Sequence, residues 1–87
     1  MTLPAMLTAI EEEAFAGNSA IERVIIPEGV TSIGIRAFAE MSALRLVELP
    51  ASITTIGEDA FTPGAVLLCR NAYTKQWAEN HGYLWTE

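Results

Sequence analysis

The sequence predicts a repeat solenoid, a stack of coils that each use 23 residues. Three observations carry this. Pro4, Pro27 and Pro50 are spaced by 23, and so are Ile10, Ile33 and Ile56 and the dipeptides Ala14-Phe15, Ala37-Phe38 and Ala60-Phe61. Leu3, Ile26 and Leu49 form a further column, as do Leu7, Val30 and Ile53, with a polar column at Thr8, Thr31 and Thr54. Second, the later prolines follow an apolar-x-x-apolar-x-apolar pattern, Ile21, Val24, Ile26 and then Leu44, Val47, Leu49. Third, the period stops after Phe61, where a segment rich in Tyr and Trp begins. A fixed period in this range marks units that bury their apolar faces only against their neighbours.

Residues 21–43 show the elements of one unit in order. Val24 and Ile26 alternate with Ile25, which is the period of a strand. Pro27 has no backbone donor for a ladder and ends the strand, as Pro50 does one unit on. Glu28-Gly29 makes the turn, since Gly29 takes positive φ at little cost. Val30 and Ile33 enclose Thr31-Ser32 as a short second strand or extended corner with its apolar ends inward. Gly34 and Gly57 then release the chain into a bend. Ala37-Phe38 sits in a short helical turn, and the three Phe residues stack into one internal column. The Glu11-Glu12-Glu13 run is read as acids at a helix N-terminus rather than as a cation site, because the other units carry Gly-Ile-Arg and Gly-Glu-Asp there.

Beyond Phe61, Pro63-Gly64 turns the chain and Val66 to Cys69 forms a shortened last strand. Asn71 caps a helix over 72–81 that Gly82 stops. Tyr73, Trp77 and His81 follow at intervals of four on one face, and Tyr83 to Trp85 is a short extended piece. This segment covers the open end of the stack. The N-terminus shows no equivalent cover.

Composition excludes several classes. The chain has 87 residues, 51% of them apolar, with no run long enough for a transmembrane helix. It has no basic, apolar leader of the secretory kind, and Met1 falls in the middle of a unit, so the chain reads as part of a longer protein. A net charge of −6, from 11 acidic and 5 basic residues, argues against nucleic acid, which needs a basic stripe. The single Cys69 makes no internal disulfide. A Cys69–His81 nucleophile is disfavoured by the helix between the two, which spans roughly 15 Å. Zinc fails on ligand count, and no glycine-rich phosphate loop is present. Neither enzyme activity nor a cofactor is expected.

The columns spell I-G-x-x-A-F followed by L-x-x-V-x-L-P: Ile33-Gly34-Ile35-Arg36-Ala37-Phe38, then Leu44, Val47, Leu49 and Pro50. This resembles the BspA-like leucine-rich repeat family over nearly the whole chain, and Val66 to Trp85 is similar to the cap that often follows such repeats. The resemblance implies a right-handed solenoid with a parallel β-sheet on one face, short helical turns and a C-terminal capping helix. The units fall at about 1–20, 21–43 and 44–65, with the cap at 66–87, in one domain. A position after Ala-Phe that is often Cys in the family is Asn18 and Ser42 here. The family's members are commonly bacterial surface or secreted proteins that bind other proteins or adhere to host matrix.

In such a stack the outward strand positions are the candidate binding face: Thr2, Arg23, Ile25, Leu46 and Glu48, with Leu67 at the edge. Ile25 and Leu46 place apolar surface where water is expected, and Arg23 and Glu48 lie on neighbouring strands as an ion pair. The expected function is a non-catalytic protein-binding or adhesion module with a protein partner. The alternative is a structural segment of a longer array with no ligand of its own. In that case the uncapped first coil, around Met1, Leu3 and Leu7, is the candidate for self-association.

Overall fold

Each strand pattern read above folds into a short strand one coil from the next. The computed structural model describes residues 3–87. In chain order the elements are β1 (Ala9–Ile10), β2 (Arg23–Ile25), β3 (Ser32–Ile33), β4 (Leu46–Glu48), β5 (Thr55–Ile56), β6 (Val66–Leu68), α1 (Ala72–Asn80) and β7 (Leu84–Thr86). All pairings are parallel, and they build two sheets, β2-β4-β6-β7 and β1-β3-β5. Parallel neighbours require a crossover, and here one full coil of chain supplies it. The second short strand of each unit is therefore a sheet of its own, opposite the first in the coil.

The core lies between the sheets. Val24, Val47 and Leu67 point into it from the four-stranded sheet, and Ile33 and Ile56 from the three-stranded one. Val30, Ile53, Ala37 and Ala60 close the corners, each at most 1% exposed. The Phe column forms as the repeat predicts. Phe15 stacks on Phe38 at 5.2 Å between centroids and Phe38 on Phe61 at 5.8 Å, contacts that contribute about 0.5–1.5 kcal/mol each beyond area burial. The threonine column is a ladder. Thr31 N donates to Thr8 O at 2.9 Å and Thr54 N to Thr31 O at 2.8 Å.

Three local expectations change. Gly34 and Gly57 do not have positive φ. They are glycine because a Cβ on Gly34 would lie 2.5 Å from Glu12 N, and one on Gly57 would lie 2.6 Å from Ile35 N. The neighbouring coil's backbone fills the space a side chain would take. The Glu11–Glu13 run starts no helix. It enters a turn in which Glu13 has φ 57°, a left-handed conformation repeated at Arg36 (57°) and Asp59 (53°). This turn closes through Ala37 N donating to Gly34 O at 3.2 Å. Finally, the column that contains Asn18 continues at Met41, which is fully buried, while Ser42 is exposed.

The cap joins the stack through polar groups as well as through buried Trp77 and Ala78. Asn71 precedes α1, and its Oδ1 accepts from Thr74 N at 2.8 Å. Its Nδ2 donates to Ala51 O at 2.8 Å and Ile53 O at 2.9 Å. The Tyr73 hydroxyl accepts from Ile56 N at 2.9 Å, and the Tyr83 hydroxyl donates to Phe61 O at 2.6 Å. The last coil's outward backbone groups are thus satisfied by side chains of the cap, as buried polar groups require. Trp77 and Tyr83 meet Phe61 edge-on at 5.7 and 6.0 Å and end the ring column. Gly82, with φ 77°, follows the helix, and the chain returns as β7 beside β6.

Candidate functional site

The parallel register turns the outward positions of the four-stranded sheet into two rows. One row runs Arg23, Leu46, Val66, Leu84, and the other Ile25, Glu48, Leu68, Thr86. At about 4.8 Å per strand each row is roughly 15 Å long. In the first row Leu46 and Val66 are half-buried and Leu84 is 66% exposed, so three apolar side chains adjoin without interruption. In the second row Ile25 and Leu68 are half-buried on either side of Glu48.

Arg23, Ile25, Leu46 and Glu48 share this outer surface. Thr2 lies outside the described residues. Leu67 does not belong to the surface: it pairs with Val47 and is fully buried. The physical reason is a shorter last crossover. Val47 to Leu67 is 20 residues rather than 23, so the inward column falls on Leu67 and Cys69 while Val66 and Leu68 face out. Val66, Leu68 and Leu84 were not among the expected face residues. The alternation around buried Cys69 is the signal that finds the first two. Leu84 carries none, because its strand follows a helix outside the repeat.

The face's electrostatics centre on Glu48. Glu48 accepts from both Nε (2.9 Å) and Nη2 of Arg23, with a guanidinium nitrogen of Arg70 3.9 Å away. An exposed pair of this kind contributes at most about 1 kcal/mol. Glu48 and Arg23 form a charged pair between Ile25 and Leu68, with Arg70 as a second cation beside it.

The remaining chemistry is structural. Burial pushes the Cys69 thiol up from its ordinary value, opposed by a hydrogen bond with Thr74, and a buried thiol of this kind is inert. His81 stacks on Trp77 at 4.3 Å, and its Nδ1 lies 2.9 Å from Trp77 O. The structure therefore engages Cys69 and His81 with different partners. Among the described residues no group of three or more His, Cys, Asp or Glu side chains could hold a metal ion. No helix there is long and apolar enough to cross a membrane. A shallow hollow of about 470 Å³ runs along the three-stranded sheet past Gly34, Gly57, Ser32 and Thr55. It brings no reactive groups together.

A family model described as the BspA type Leucine rich repeat region matches residues 1–66. No curated protein and no solved structure matches the chain.

Proposed function

The chain belongs to the BspA-type leucine-rich repeat family, whose domains are generic protein-binding modules, typically non-catalytic, and we propose that it binds its protein partner through the outer surface of the four-stranded sheet. The observation that carries this reading is the unbroken apolar row Leu46, Val66 and Leu84 beside Ile25 and Leu68. Contiguous apolar surface on a rigid sheet, rimmed by the charges of Arg23, Glu48 and Arg70, is the composition of an interaction patch. The family's surface and adhesive members support a role at the cell surface, with residues 1–87 acting as one interaction domain.

The test compares the native chain with a Leu46→Ser/Leu84→Ser variant and a Met6→Ser/Ile35→Ser control. Met6 and Ile35 are exposed apolar residues off this face, at 93% and 49%. Affinity capture followed by titration of the captured protein should show binding to the native chain and control. The face variant, folded by circular dichroism, should bind at least tenfold more weakly. Equal binding by all three removes the sheet face as the site.

A second reading, self-association through the first coil, draws on one observation. Ala14 is exposed where Ala37 and Ala60 are fully buried by a neighbouring coil. Light scattering across a concentration series separates the readings: a 9.4 kDa monomer throughout rejects self-association, and a concentration-dependent mass that falls on Leu7→Ser supports it.

A further inference from the structure

The first coil offers an uncovered face, and the glycine column decides what can sit on it. Within the stack the seat is fixed by hydrogen bonds at the glycines themselves. Gly34 N donates to Ile10 O at 2.8 Å, and Gly57 N donates to Ile33 O at 2.8 Å. Those bonds bring the preceding coil's backbone so close that a Cβ on Gly34 would lie 2.5, 2.7 and 2.9 Å from Glu12 N, Glu11 C and Glu12 Cα. On Gly57 the same atom would lie 2.6, 2.8 and 2.9 Å from Ile35 N, Ile35 Cα and Gly34 C. Both sets are backbone, which cannot swing aside as a side-chain end can.

The residue at this position in the first coil is Glu11. By the repeat, its Cβ points out of the N-terminal face, into the space that a preceding coil's backbone would occupy. Seating a coil there by the same hydrogen bond drives Cβ into that backbone. Backing the coil off breaks the bond and opens the stacked core. The other end of a second copy offers no better fit, since α1 and the polar side chains of the cap cover it.

We propose that Glu11 is a stop residue: the first coil ends the stack, and its N-terminal face admits no further coil of this repeat, from the same chain or from another copy. The inference is independent of partner binding on the sheet face, and it confines the self-association reading above to contacts that seat no coil on the N-terminal face. It says that the partner-binding sheet cannot be lengthened from this end by another unit of the same kind.

The test adds a coil in register, by placing a copy of residues 24–46 ahead of Met1 in the full chain. Three versions carry Glu11, Glu11→Gly or Glu11→Ala. With Glu11, the added segment should stay unfolded: it is cut by protease within minutes, and the urea midpoint equals that of the native chain. With Glu11→Gly, the segment should become protected, the β signal in circular dichroism should grow, and the midpoint should rise. Glu11→Ala keeps the Cβ without the charge and should behave like Glu11. An added coil that folds on Glu11, or that stays unfolded on Glu11→Gly, overturns the proposal. An Ala version that behaves like Gly also overturns it, because charge and not the Cβ would then be the barrier.

Discussion

A single side chain shows how the cap and the stack are joined. The Tyr83 hydroxyl reaches from the chain after α1 to Phe61 O at 2.6 Å, while its ring packs on Trp77 at 5.3 Å. Burial raises its pKa from the ordinary 10.0, reinforced by nearby Asp59. A raised folded value means that the folded state holds this proton more tightly than the unfolded chain does. Its contribution is therefore fully present below about pH 10 and is lost as pH rises through the folded value. Tyr83→Phe should lower stability by about 0.5–1.5 kcal/mol at neutral pH. It should also flatten the fall in stability above pH 10. Cys69 also has a raised value, but it is common to both proteins, so the difference between their urea-stability profiles isolates Tyr83. Parallel profiles above pH 10 would remove Tyr83 from the alkaline response.

At the scale of elements, Asn71 does more than begin a helix. An exposed N-cap accepts Asp as readily as Asn. Here the side chain accepts from Thr74 N and also donates to two carbonyls of the third coil, Ala51 O and Ile53 O. Asn71→Asp should keep the cap yet set a carboxylate against two acceptors. It should destabilise by more than about 1 kcal/mol, comparably with Asn71→Ala. If urea unfolding of Asn71→Asp matches the native chain, the carbonyl contacts do not hold the cap. The helix and its cap residue were readable in the sequence, since Asn71 precedes the spaced aromatics and Gly82 follows them. Its second role was not, because Ala51 and Ile53 come near only once the coil closes. The same limit applies along the stack. The repeat identified Val24, Ile33 and Phe38 as core because their columns recur, but it could not explain Gly34, whose constraint lies in the coil before it. It misplaced Leu67 because the last crossover is three residues short, so the phase of the last strand does not follow from the period and shows only in the pairing of Leu67 with buried Val47. The sheet face was thus legible at Ile25 and Leu46, inside the repeat, and illegible at Leu84, outside it.

The whole molecule behaves as a one-dimensional stack if each coil is stabilised mainly by its two neighbours. The structure meets that condition. Ring contacts, the threonine ladder and the glycine seats each join a coil only to the next one. A second copy of residues 34–56 inserted after Ile56 would begin with Gly34 and return the chain to Gly57. Every seat would then keep its glycine, every Phe would keep a neighbour in the column, and the cap would still cover the last coil. The insertion should raise the urea midpoint and increase the unfolding slope by roughly a quarter, since that slope scales with the surface exposed on unfolding. A higher midpoint with an unchanged slope would mean that the new coil stays out of the cooperative unit. A lower midpoint would mean that the cap recognises the original third coil in a way the repeat columns do not capture. The contrast with the N-terminal end is the sharper point. A coil of this repeat should be accepted where glycine receives it and refused where Glu11 does, so that one column of the repeat, and not the apolar surface on show, sets where the array can grow.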